Sequence, residues 1–179
     1  GECASLDELK ERLRARLADE LKRYQDEELK EKIIGRLIEA HPFAVPPSMV
    51  ERQTRYLMER YQRQIASQAG EAPPVEEAKK TLEARAARQV QATLLMEKIA
   101  QLEKIEVSDK EVQERVDALA RAASEQGKAH REFYARPDAR DELRAQLVFD
   151  RAVNFLLDRA RIKEVDLPIF KVDEPAEKS

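Results

Sequence analysis

Tryptophan is absent from this 179-residue chain, cysteine occurs once and histidine twice. A lone Cys3 rules out an intrachain disulfide and any cysteine-based metal cluster, and with no basic cluster beside it the thiol is a bystander. Zinc proteases carry two histidines four residues apart; His41 and His130 are far apart. Di-iron bundles place a glutamate three residues before a histidine, and those positions hold Ile38 and Gly127. The four glycines are scattered, so there is no phosphate-cradling loop. With eight prolines besides, the chain is far from collagen-like or low-complexity composition. Aromatics are only 5% of residues, against the usual make-up of a β-sandwich. There is no long apolar run for a transmembrane helix and no basic-then-apolar leader. No catalytic constellation emerges. The expectation is a soluble helical protein of a reducing compartment, not an enzyme, with no cofactor and no metal.

Charge is abundant instead. Charged residues make up 39%, with 33 basic against 36 acidic, for a net charge of -3. Without a basic excess, nucleic acid is not the expected ligand. Three of the four glycines and all eight prolines fall at apparent element boundaries, and between them apolar residues recur at helical spacing. Ser5-Leu6-Asp7-Glu8 has the form of a capping box and opens a first helix. Leu6, Leu9, Leu13, Leu17, Leu21 and Tyr24, then Ile33 and Leu37, follow at helical spacing, and the pattern stops at His41-Pro42. Gly35 interrupts it, at about 1 kcal/mol relative to alanine. Phe43 to Pro47 reads as an extended connector, with Pro47 suited to the first turn of a second helix running to about Ala69. Gly70 and Pro73-Pro74 make a turn, and a third helix covers Val75 to Lys104. Ser108-Asp109-Lys110-Glu111 is a second capping box, opening a helix that Gly127 ends. A short helix holds Phe133-Tyr134, Pro137 starts a last helix to about Arg161, and Ile162 to Val165 adds a strand-like piece.

The helix faces differ. On the second helix Val50, Leu57, Tyr61 and Ile65 share one arc, whereas Met49 and Tyr56 lie off it and Met58 sits at its edge. Such a helix either packs on both sides or leaves apolar side chains for a partner. The later third helix (Val90 to Leu102) and the last helix (Leu143 to Leu157) are apolar all round, which predicts burial where the helices converge. A continuous helix from Ser5 to Ala40 would span roughly 54 Å, more than the ~40 Å diameter of a compact chain of this size. Either it breaks near Gly35 or the molecule is elongated.

The order of pieces is similar to a known family. A long helix ends in Ile38-Glu39-Ala40-His41-Pro42-Phe43-Ala44-Val45-Pro46-Pro47-Ser48-Met49-Val50; later come Phe133-Tyr134 and, after Pro137, a helix closing as Phe155-Leu156-Leu157-Asp158-Arg159-Ala160-Arg161-Ile162. This resembles the C-terminal chaperone domain of bacterial trigger factor, from Ser5 to about Val165. The resemblance implies an all-α, elongated multi-helix fold with two helical arms, of the trigger factor C-terminal or SurA-like type, with the Gly70 to Pro74 turn at one tip. It implies residues 1–165 as a substrate-binding domain and 166–179 as a partly disordered tail. The family's function would be ATP-independent, cytoplasmic binding of unfolded or nascent polypeptides. Ribosome contact and prolyl isomerisation would belong to other domains; neither the docking loop Gly-Phe-Arg-x-Gly-x-x-Pro nor an FKBP-like stretch matches here. No direct nucleic-acid or membrane contact is implied, and weak self-association is the other expected contact. The candidate substrate-binding residues are Met49, Tyr56, Met58, Tyr61, Phe133 and Tyr134, each of which could equally be ordinary core. The family carries apolar residues ahead of Phe-Tyr; here Ala122 to Gln126 are small or polar, which predicts weaker binding there. The competing readings are a helical adaptor with one fixed partner and a periplasmic SurA-like chaperone.

Overall fold

The computed structural model describes residues 5–66 and 75–163. Among them the chain is six α-helices with no strand: α1 (Leu6–Ala40), α2 (Pro47–Ala66), α3 (Val75–Leu102), α4 (Asp109–Ala122), α5 (Gly127–Phe133) and α6 (Pro137–Arg159). A 3-10 turn, Ser124–Gln126, joins α4 to α5.

Local chemistry sets most boundaries. The Ser5 hydroxyl oxygen accepts from the Glu8 amide at 3.2 Å and caps α1. Proline opens α2 and α6, where its missing amide costs nothing. At the start of α4 the capping box is complete: the Glu111 amide donates to Ser108 Oγ, and the Glu111 carboxylate accepts from the Ser108 amide at 2.8 Å. Lys104 turns the chain out of α3 with φ 55, and the Ile105 amide then bonds back to the Ala100 carbonyl.

Packing falls into two cores that share α6. Val107, Val112, Val116 and Leu143 form one, with Leu119, Tyr134, Leu147 and Val148 against them. Met96, Ala152 and Val153 form the other, surrounded by Ile33, Ile34 and Leu37 of α1 and by Leu95, Ile99, Phe149, Leu156 and Leu157. This is the predicted convergence of the third and last helices, although Leu102 at the end of α3 is 67% exposed. α2 leans principally on α3, and Leu57 of α2 and Ala86 and Val90 of α3 are buried. Alanine supplies six of the fourteen buried apolar residues among those described. Small side chains let helix axes approach closely but bury little area each.

Several expectations change. α1 does not break at Gly35: it is one 35-residue helix, roughly 52 Å long, and the molecule is the elongated alternative. Gly35 is instead buried under Arg88 of α3, whose Nη2 would stand 2.8 Å from an added Cβ. Gly127 does not end α4, which stops at Ala122; it opens α5. Its φ of -56 is ordinary helix, and its requirement is space, because a Cβ there would lie 2.4 Å from the Ala120 carbonyl oxygen. Residues 161–163 adopt no regular structure, so the strand-like piece does not form over Ile162–Lys163. Cys3, the turn at Gly70 to Pro74, the second helix beyond Ala66, Glu164-Val165 and the tail at 166–179 lie outside the described residues.

Candidate functional site

Four helices leave a cleft of about 850 Å³ between them. Ile34 of α1, Leu57 of α2, Ala92 of α3, and Phe149 and Val153 of α6 supply its apolar lining. Glu27 and Glu31 of α1 and Asp150 of α6 bring acid to it; Arg60 of α2 and Arg85 and Arg88 of α3 bring base. Three geometric facts hold this shape. Gln53 donates to Gln89 at 2.9 Å and locks α2 to α3 at the cleft. Gln91 reaches back 3.2 Å to the Phe43 carbonyl and pins the connector to α3. The missing side chain of Gly35 lets the Arg88 guanidinium lie against α1.

The charges in the cleft respond to their setting. Partial burial pushes the Asp150 carboxyl above its usual range, against the pull of Lys30 and Arg115. The Lys30 ammonium is raised, chiefly by its hydrogen bond to Glu27, 2.8 Å away. Neither arrangement resembles a nucleophile beside a base. Among the described residues no group of three or more His, Cys, Asp and Glu is placed to hold a metal ion.

The six sequence-predicted residues are not brought to one place. Tyr56 lines the cleft, 49% exposed, with the Arg60 guanidinium 5.9 Å from its ring centre. Met58, two residues on, lines a separate depression of about 410 Å³ with Thr54, Arg55 and Lys79. A two-residue step turns a helix by roughly 200°, so the two side chains serve opposite sides of α2. Met49 and Tyr61 are half-buried, and the Tyr61 hydroxyl is enclosed with no hydrogen-bond partner among the described residues. Phe133 and Tyr134 stack edge to face at 5.1 Å at the C-terminal end of α5. Phe133 is 50% exposed, whereas Tyr134 packs into the first core. On the second helix, then, Leu57 is core, Tyr56 faces solvent, and the others lie between.

Two features outside the six candidate residues also present apolar surface. Phe149 packs on the second core and also lines the main cleft and a slot of about 430 Å³ between α3 and α6. Its signal was the surplus of apolar residues on α6. The leucine row of α1 from Leu6 to Tyr24 is exposed throughout; its signal was a helix too long for the globule. The histidines bond to their own helices, His41 Nδ1 to the Leu37 carbonyl and His130 Nδ1 to the Gln126 carbonyl. His130 is half-buried.

A family model described as the C-terminus of bacterial trigger factor protein matches residues 5–158. The chain belongs to the trigger factor C-terminal family. Among curated relatives, it is 32% identical to the trigger factor of Bradyrhizobium sp. (strain ORS 278) over 178 residues, covering 95% of this chain and 40% of that protein. It is 30% identical to the trigger factor of Geotalea uraniireducens, again covering 40% of the relative. The chain thus spans about two fifths of the length of the curated relatives it matches. A solved structure of trigger factor domains from Thermotoga maritima aligns with a TM-score of 0.57 at 21% identity, covering 75% of this chain and 83% of that one, and supports the fold. Among the described residues no helix is long and apolar enough to cross a membrane.

Proposed function

We propose that this chain is an ATP-independent chaperone domain that holds unfolded or nascent polypeptides in the cytoplasm. The observation that carries the reading is the cleft with its apolar lining and flanking charges of both signs, built by a chain of the trigger factor C-terminal family. An unfolded segment presents apolar and charged side chains in no fixed order, and a surface offering both accommodates many of them. Each client side chain fully buried there gains roughly 1.5–3 kcal/mol. Several weak contacts along one client multiply into useful avidity without demanding a sequence.

Within this reading, Tyr56 contributes in the cleft, Met58 on the opposite side of α2 and Phe133 at the α5 end, with Met49, Tyr61 and Tyr134 as partly covered neighbours. Residues 1–165 act as the substrate-binding domain. The abundant surface charge keeps the empty domain soluble and opposes client aggregation. Prolyl isomerisation and ribosome docking, which the resemblance places in other domains, are not assigned to this chain. The test is aggregation of a chemically denatured protein diluted into buffer with an equimolar amount of this chain. Slower growth of light scattering is expected, with capture of many different unfolded proteins. No slowing, or capture of one stoichiometric partner alone, would overturn the reading.

A further inference from the structure

The charges that line the cleft are unevenly answered. Over the whole chain acid exceeds base, with a net charge of -3. In the cleft Arg60, Arg85, Arg88 and Lys30 stand against Glu27, Glu31 and Asp150, so base exceeds acid. The arginines come from α2 and α3, the carboxylates from α1 and α6. The acidic wall is partly matched within the fold. Lys30 donates to Glu27 at 2.8 Å, and Lys30 and Arg115 both favour the ionised form of Asp150. The arginine wall has no such match. Among the described residues Arg60, Arg85 and Arg88 are exposed and make no ion pair with a carboxylate.

Helix geometry makes these guanidinium groups one set. Arg85 and Arg88, three residues apart, share a face of α3, and Tyr56 and Arg60, four apart, share a face of α2. The hydrogen bond from Gln53 to Gln89 fixes the two helices to each other beside them. The bare backbone of Gly35 gives Arg88 room against α1. Glu31, one turn from Gly35, can balance one of the three charges and no more. A guanidinium is a planar fork that meets a carboxylate through two parallel hydrogen bonds. Next to the fork lies an apolar surface of Leu57, Ala92, Phe149 and Val153. The arrangement suits a ligand with large apolar side chains and carboxylates a few residues apart. A basic segment would meet three unanswered guanidinium groups. A nucleic acid would bring its phosphates against Glu27, Glu31 and Asp150.

We propose that the arginine wall selects what the cleft binds: unfolded segments carrying aspartate or glutamate beside large apolar residues, their carboxylates on Arg60, Arg85 and Arg88 and their apolar side chains on the lining between the helices. This rests on the chaperone reading and narrows it to a substrate class. A solvent-exposed charge pair contributes little by itself, so the selection is a bias and not a code. Segments without acid still bind through the apolar lining. Because the guanidinium groups stand in water, salt weakens the bias and leaves the apolar contribution.

The test titrates the full chain into fluorescent peptides that share one set of leucines and phenylalanines and differ only at their polar positions, filled with glutamate, glutamine or lysine. At low salt the glutamate peptide is expected to bind roughly 5–20-fold more tightly than the glutamine peptide, with the lysine peptide weakest. At about 0.5 M salt the spread should shrink to about twofold. Arg85→Gln with Arg88→Gln should bring the glutamate-to-glutamine ratio close to one, with far-UV helicity retained because both side chains are exposed. Arg60→Gln, on the other helix, should lower the ratio independently, and Arg85→Lys with Arg88→Lys should keep part of it. Equal binding of the three peptides, tightest binding of the lysine peptide, a double glutamine variant that keeps the full preference, or tighter binding of a short RNA than of the glutamate peptide would each overturn the proposal. Equal binding with aggregation still slowed removes this proposal and leaves the chaperone reading. No binding by any peptide also overturns it, and with no slowing of aggregation the chaperone reading falls too.

Discussion

The Arg151 guanidinium of α6 clasps Glu111 at the start of α4, Nη2 to Oε1 at 2.5 Å, while its Nη1 donates to the Glu106 carbonyl at 2.6 Å. One side chain thus ties the last helix both to the capping box and to the loop before it. Arg151, the Ser108 amide and the Ser108 hydroxyl together hold the Glu111 carboxyl down at about 2, against an ordinary 4.5.

Acid stability follows from that depression. A carboxyl whose folded value lies below its unfolded one stabilises the fold above the unfolded value and loses that contribution as pH falls through the folded one. Glu111 therefore contributes fully above about 4.5 and progressively less down to about 2. Glu111→Gln is expected to lower the urea midpoint at neutral pH and to converge with the parent near pH 2. Urea titrations at several pH values check this; parallel curves for parent and variant would contradict it.

The two structured glycines should respond oppositely to alanine. At Gly127 the added Cβ would meet the Ala120 backbone carbonyl at 2.4 Å, which cannot swing aside. Gly127→Ala should cost about 1–3 kcal/mol as α4 and α5 are forced apart. At Gly35 the obstacle is the tip of the Arg88 side chain, which can move. Gly35→Ala should be neutral or stabilising by up to about 1 kcal/mol through helix propensity. Thermal unfolding of both variants gives the two signs.

Met96 is fully buried beside Ala152 and Val153, where α3 meets α6 and α1 docks. Met96→Ala should destabilise by about 2–5 kcal/mol through lost burial and the cavity left behind. Because the wall of the cleft rests on this junction, chaperone activity should fall together with the unfolding midpoint. Denaturant titration alongside the aggregation assay tests whether the two move together.

Tyr56 and Phe133 can be separated from stability. Both are about half exposed, at 49% and 50%, so Tyr56→Ser and Phe133→Ser should change the unfolding midpoint little. In the aggregation assay each should reduce protection, Tyr56→Ser more strongly because Tyr56 lines the main cleft. Tyr134→Ala, which cuts into the first core, should instead lower stability.

What the amino-acid order settled by itself is local. Ser5, Ser108, Pro47 and Pro137 mark helix starts because capping and proline chemistry act within one turn. The all-helical class, the convergence of α3 with α6 and the family likeness follow from periodicity and from the order of pieces. Tertiary structure decided the rest. Whether an apolar helical face is core or surface depends on what lies across from it, and nothing in the run from Leu6 to Tyr24 says that its side chains stay exposed. Gly127 looked like a stop because glycine commonly is one; only the approach of Ala120 shows that the residue is needed for room. Tyr56 and Met58 are neighbours in sequence yet are parted by the turn of one helix. The cleft itself is assembled from side chains of four helices, and their meeting is a property of packing, which no single segment encodes.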